Sequence, residues 1–190
     1  SLVNPDDASY CFPETLTWER FPLASSLGRI GELPVSVYSD NTTGVLAELR
    51  YGQGLRSEDV LYVHMKEGIG LGIVANGIIQ TGARNQGGEF GHICVQPRGP
   101  FCYCGGKGCL ESVASSWAIL KQVRDRLSSG VYSRNLGQFD PGSLTLADIC
   151  QSAMSGDVFV LDVLNTAGEW LGVSLANVAG MLDPEKIILG

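Results

Sequence analysis

The spacing of apolar residues divides the chain into elements. Val113, Trp117, Leu120 and Val123 recur near the helical period and predict a helix from about 111 to 128. Val158, Leu161, Leu164, Trp170, Leu171, Leu175, Val178 and Leu182 predict one long, mostly buried helix over 157–182. A shorter helix fits 143–154. Upstream, "PVSVYS" (34–39) reads as a strand, and "DNTTGVLAELRYG" as the helix that follows it, with Asp40 or Asn41 as N-cap and Gly52 as its stop. A strand running directly into a capped helix sets Asp40 at the carboxyl end of that strand, where open α/β sheets hold their ligands. Within "DVLYVHMKEGIGLGIVANGIIQTG" (59–82), Asn76-Gly77 signals a two-residue hairpin, because a type I′ turn needs positive φ at both central positions. Strands are therefore expected at 60–66, 70–75 and 78–81 as an antiparallel meander. "EKIILG" (185–190) reads as one more strand.

Residues 1–34 carry Pro5, Pro13, Pro22 and Pro34 and one short helix, expected over Leu23–Leu33, so they read as a lead-in rather than a core. Both ends of the chain are abrupt, which suggests a piece of something longer. With 44% apolar and 17% charged residues, the 190-residue chain can bury a sizeable core as one domain, or one lobe with an appendage. Its 13 basic and 20 acidic residues leave a net charge of -7, and no Lys/Arg run occurs, so the footprint for holding nucleic acid is missing. No stretch reaches the roughly 18 consecutive apolar residues of a membrane span, and the first ten residues have neither a basic start nor an apolar run. A soluble, cytoplasmic protein without a membrane partner is expected.

Cysteine usage changes the picture. Cys11, Cys94 and Cys150 stand alone and read as buried reduced thiols. Cys102, Cys104 and Cys109 crowd together, with His92 ten residues ahead, and so supply three sulfurs and one nitrogen, the donors Zn²⁺ prefers. The intervening "GGKG" lets the chain turn sharply enough for Cys104 and Cys109 to reach one ion. Such a site would be closed and structural, with no open position for water. A disulfide with a spare thiol and catalytic thiol chemistry are the alternatives; the latter lacks Cys-x-x-Cys spacing. His64 reads as a structural residue of its strand without partners, and Lys66 and Glu67 as a solvated strand end.

"GGEFGHICVQPRGPFCYCGGKGCLESVAS" (87–115) resembles the signature of the ROK family (repressors, open reading frames, kinases), sugar-binding proteins of the actin-like ATPase (ribonuclease H-like) fold. The likeness extends through "LTWERFPL", "PVSVYSDNTTGVLAE", "GIGLGIVANG" and "DPEKIILG". It implies an α/β chain that is mainly the C-terminal lobe of that fold: residues 1–34 ending the N-terminal lobe, and 35–190 forming a sugar- and zinc-binding lobe.

The resemblance places Ser39, Asp40, Glu89, His92 and Glu111 on the sugar, with His92 also on the metal. The chemistry suits the task, since carboxylates accept hydroxyl hydrogen bonds in fixed directions and charge-assisted bonds are about twice as strong as neutral ones. An imidazole with one nitrogen on the metal keeps a proton on the other, available to a hydroxyl. In a ROK kinase Asp40 would be the catalytic base, and Gly68, Gly70 and Gly72 would form a phosphate loop for ATP and Mg²⁺. Three departures argue against that: Ile69 stands where the kinases usually carry threonine, and Ser39 and Thr42 where they usually carry asparagine. The glycine run leads into a strand rather than a helix, so it also reads as a hairpin packed through small residues. The expected function is the effector-binding part of a sugar-responsive regulator, reaching DNA only through an N-terminal domain outside this chain. The alternatives are an ATP-dependent hexose kinase and a purely structural zinc module. Family members usually form dimers or tetramers.

Overall fold

The computed structural model of the chain describes residues 2–3, 10–11, 21–31, 33–83 and 85–190. Half of the lead-in, and the side chain of Cys11, lie outside the described residues. The chain forms two units: Ser1–His64 with Gly70–Phe90 and Leu182–Gly190, and Met65–Ile69 with Gly91–Met181.

In the first unit, β1 (Leu2–Val3) pairs antiparallel with β2 (Tyr10–Cys11), and α1 spans Leu23–Gly31, two residues short of the expected end. The main sheet has the order β5-β4-β3-β6, from β3 (Val60–Met65), β4 (Ile69–Ala75), β5 (Ile78–Ile79) and β6 (Lys186–Leu189). Asn76 and Gly77 take φ of 52° and 72°, as a type I′ turn requires, and β4 and β5 run antiparallel through it. β6 adds a fourth strand, parallel to β3, with Leu61 opposite Ile187 and Val63 opposite Leu189.

The strand expected at 34–39 is not formed. Its residues alternate between exposed and half-buried, as in a strand, but among the described residues no neighbour supplies a ladder. α2 (Asp40–Tyr51) begins where expected, yet its N-cap is Ser39 rather than Asp40 or Asn41. Ser39 is extended and its Oγ accepts the Thr42 N–H at 3.2 Å, a bond only a residue ahead of the first turn can make. α2 lies flush on β4: a Cβ at Gly70 would run into the Asn41 side chain, and one at Gly72 would sit 2.7 Å from Val45 Cβ. This seats Val45 against Val60 and Val74, with Leu49, Tyr62, Ile79 and Ile188 packed around them.

The second unit is helical. The helix expected over 111–128 is two helices, α3 (Leu110–Ala114) and α4 (Ser116–Ser128). Ser115 separates them in an extended conformation (ψ 163°), and its hydroxyl caps α4 by accepting the Ala118 N–H. Hydrophobic periodicity runs through such a break unnoticed. The helix expected at 143–154 resolves into a 3₁₀ turn at Pro141–Ser143 and α5 (Leu146–Met154), because Thr145 and Asp148 form a reciprocal capping box. α6 spans Val158–Leu182.

The expectation of a mostly buried long helix is corrected. α6 buries one stripe, Phe159, Val160, Val163, Ala167, Ser174 and Val178, and leaves Val158, Val173 and Met181 well exposed. It is long and apolar enough by length and composition to cross a membrane, but it carries Asp162, paired at 2.9 Å with Arg126 of α4. Cys94 and Cys150 are exposed rather than buried. Cys94 lies in a loop and Cys150 off the buried Ile149 and Ser152 positions of α5, which one-dimensional spacing does not show.

Val123, Leu136, Leu144, Ile149, Phe159, Val160 and Val163 form the core of this unit. Asp157 organises its entrance. Its Oδ1 accepts the N–H groups of Phe159 (3.1 Å) and Val160 (3.4 Å), capping α6, while Oδ2 accepts the Ser133 hydroxyl (2.7 Å) and the Asn135 N–H (3.0 Å). Burial pushes this carboxyl upward, but the four donors outweigh it and hold it below the ordinary carboxylate range. Asp157→Ala is therefore expected to destabilise the protein by about 3 kcal/mol in denaturant unfolding. Because the folded pKa is depressed, the stabilisation from Asp157 is fully present above the unfolded value of about 3.9 and disappears as pH falls through the folded one. The stability difference from the alanine variant should shrink correspondingly in acid.

Candidate functional site

In the second unit the chain folds back between residues 93 and 110. Ile93 O accepts the Leu110 N–H, Gly108 O accepts from Val95 and Gln96, and Gly106 O accepts from Cys102. Positive φ at Gly105 (87°) and Gly108 (65°) allows the reversals, and a Cβ at Gly108 would strike the Gln96 carbonyl. The consequence is convergence of His92, Cys102, Cys104 and Cys109, whose donor atoms all lie within 4.8 Å of one another.

Two edges of this cluster test its fit to a metal. Cys104 Sγ and Cys109 Sγ are 3.7 Å apart, and Cys102 Sγ and His92 Nδ1 are 3.6 Å apart. A tetrahedron with Zn–S bonds of about 2.3 Å has S–S edges of about 3.8 Å, and shorter S–N edges. A disulfide would need about 2.05 Å, so the cysteines are free thiols, spaced for one ion. Burial pushes the Cys109 thiol up to about 12 and raises that of Cys102, while the Gly106 N–H lowers that of Cys104. A dication supplies the positive charge that sulfurs so enclosed otherwise lack. The group can thus hold a metal ion, and its donors and spacing suit zinc.

His92 shows a detail that spacing could not. With Nδ1 toward the sulfurs, Nε2 lies 3.4 Å from the Tyr103 hydroxyl, and the two rings meet edge-on at 5.3 Å. Tyr103 is the residue between the first two cysteines, and nothing in a Cys-x-Cys pattern marks its side chain as a partner.

Glu111 follows two residues after Cys109, in the first turn of α3, and is 3% exposed. Its Oε2 accepts the Ile69 N–H at 2.8 Å. Its Oε1 is buried and has no hydrogen-bond partner. A Cβ at Gly68 would lie 2.7 Å from Oε2 and one at Gly91 2.9 Å from it, so both glycines make room for this carboxylate.

In the first unit, Asp40 opens α2 with its side chain 62% exposed. Ser39 does the capping, so Asp40 Oδ1 only accepts the Asn41 N–H (3.0 Å) and Oδ2 faces His64 Nε2 at 3.5 Å. His64 is therefore not without a partner, as its position in the sequence suggested; the contact depends on β3 passing beside the start of α2. Glu89 is half-buried next to Gly88, whose carbonyl accepts from Leu71 and whose φ of 87° turns the chain out of β4's neighbourhood.

The glycine run 68–72 is accounted for locally. Gly70 and Gly72 admit α2, Gly68 admits Glu111, and none of the three has a positive φ. Ile69 between them is buried, and its N–H is spent on Glu111.

The ROK family profile matches residues 1–190. The chain is 38% identical over 175 residues to a glucokinase of Halalkalibacterium halodurans, covering 91% of this chain and 53% of the relative. It is 32% identical over 188 residues to the DNA-binding transcriptional dual regulator NagC of Escherichia coli, covering 99% of this chain and 45% of that protein. A ROK family glucokinase from Streptomyces griseus, crystallised with glucose and AMPPNP, superposes with a TM-score of 0.88 at 30% identity, covering 100% of this chain and 62% of that one. The chain spans about half the length of the curated relatives it matches.

The metal fit is open to direct measurement. Elemental analysis of purified protein is expected to return one zinc per chain, and Cys109→Ala to lose it, with a fall in melting temperature that added zinc does not restore.

Proposed function

The chain belongs to the ROK family and has its actin-like ATPase fold; from that premise we propose that it is the effector-binding part of a ROK-type transcriptional regulator, binding a sugar or phosphosugar and carrying a structural zinc ion. The observation that carries the ligand is Glu111 Oε1, a buried carboxylate oxygen that lacks a donor while its twin is fixed by a backbone N–H. A buried acceptor left unpaired costs about 1–3 kcal/mol, and more when charged, so a ligand that brings a donor is favoured. A sugar hydroxyl is such a donor, and Ser39, Asp40, Glu89 and His92 are further polar groups that the family resemblance assigns to the same ligand. Bound zinc would lock the loop that carries Cys109 and, two residues on, Glu111. In this reading residues 35–190 are the sugar- and zinc-binding lobe.

Ile69 favours regulator over kinase. It offers no hydroxyl, and its N–H is already given to Glu111, so neither group can cradle a phosphate oxygen. DNA would be contacted by an N-terminal domain outside this chain, since a net charge of -7 repels phosphate backbones. The sugar would act by binding one arrangement of the full protein more tightly than another. A soluble cytoplasmic dimer or tetramer follows from the same family reading.

A second reading rests on the 38% identity to a glucokinase: an ATP-dependent hexose kinase, with Asp40 as base and Gly68, Gly70 and Gly72 beside the phosphates of Mg²⁺-ATP. One set of measurements separates the two. Calorimetry with D-glucose, N-acetyl-D-glucosamine, D-xylose and their 6- or 5-phosphates is expected to find a binder, with no ATP-dependent phosphorylation of any of them. Steady turnover would establish the kinase instead. Glu111→Gln is expected to weaken the bound sugar about tenfold with an unchanged melting temperature, because a charge-assisted bond becomes a neutral one. Unchanged affinity would remove Glu111 from the site.

A further inference from the structure

We infer that His64 is a positioning residue for Asp40, fixing the orientation in which its carboxylate meets a ligand hydroxyl. This deepens the sugar-binding role proposed above and rests on it. His64 Nε2 lies 3.5 Å from Asp40 Oδ2, and the imidazole is 15% exposed against 62% for the acid, so the ring backs the carboxylate and leaves its outer side open. Asp40 Oδ1 accepts the Asn41 N–H at 3.0 Å. With Ser39 as the cap, neither oxygen is consumed by helix termination: Oδ1 has one backbone donor, Oδ2 faces the imidazole, and both keep acceptor capacity.

The other ring nitrogen makes the case specific. His64 Nδ1 is buried and has no hydrogen-bond partner among the described residues. A purely structural residue at this strand position would gain from being apolar, since an orphaned buried nitrogen is unfavourable. The orphan is accounted for if the opposite nitrogen has a task. It also fixes the tautomer of the neutral ring. A proton on Nδ1 would leave a buried N–H unpaired and turn an Nε2 lone pair toward a carboxylate; a proton on Nε2 aims the N–H at Oδ2 and strands only a lone pair. Tyr62 holds the ring from the side, with centroids 6.2 Å apart, and its own ring fills the space a Cβ at Gly44 of α2 would need. β3 and the first turns of α2 thus interlock around the pair. A carboxylate held in one rotamer before the ligand arrives loses less freedom on binding.

The chain has two histidines, so ¹⁵N-histidine labelling gives two ring systems, which His64→Gln assigns. Two-bond ¹H–¹⁵N correlation of the protein is expected to show His64 as the Nε2-protonated tautomer, becoming a mixture in Asp40→Ala. An Nδ1-protonated ring, or a spectrum indifferent to Asp40→Ala, overturns the proposal. In calorimetry with whichever sugar of the panel above binds, His64→Leu is expected to weaken affinity at least tenfold, and His64→Gln, which keeps an N–H donor, to recover most of it at equal melting temperature. Equal loss in both variants also overturns it. Should no sugar bind, the sugar reading fails by itself, and the tautomer result alone decides whether His64 orders Asp40.

Discussion

A carboxylate that is 3% exposed imposes a demand on everything near it, and Glu111 is that group. Removing such a charge from water costs several kcal/mol unless donors replace the lost solvent. The Ile69 N–H replaces part of it, which ties the tip of the β3–β4 hairpin to the first turn of α3. Gly68 and Gly91 are small because this contact leaves no room for a side chain at either place. Cys109, the residue ahead of α3, uses none of its side chain for capping, so its sulfur stays available to the cluster. Thiol and carboxylate are therefore two residues apart on one short piece of backbone.

Two helices, one in each unit, start on the same device. At α2, Ser39 takes over helix capping and leaves Asp40 to face His64; at α4, Ser115 caps the second helix and lets the first be set by the cysteine loop. In both cases a serine hydroxyl accepts a first-turn backbone N–H. The glycines of the 68–72 run likewise serve packing, against α2 and against Glu111, without any backbone strain that a phosphate would be needed to explain.

Much of this was legible in the residues. The Asn-Gly hairpin, the strands on either side of it, the α2 register, α6 and β6 follow from local chemistry, and the His92, Cys102, Cys104, Cys109 set follows from donor type and glycine placement. What was not legible depends on neighbours distant in sequence. The 34–39 segment has a strand's alternation, but a strand exists only where another offers a ladder. Ser115 breaks a helix whose apolar spacing continues through it, and α6 shows one buried stripe where its composition suggested burial all round. His64, Tyr103 and the Ile69 amide entered the site through proximity alone, across gaps of 24, 11 and 42 residues to their respective partners.

The break at Ser115 has a practical corollary. An extended Ser115 breaks the helical ladder between α3 and α4, yet the Gln122 side-chain amide donates back to the Val113 carbonyl at 3.0 Å and the Ser116 hydroxyl to the Lys66 carbonyl at 2.8 Å, so the stretch from His92 to Ser115 stays pinned to α4 and to the hairpin tip. Remodelling that stretch would accordingly cost these two outward bonds as well as the loop's own.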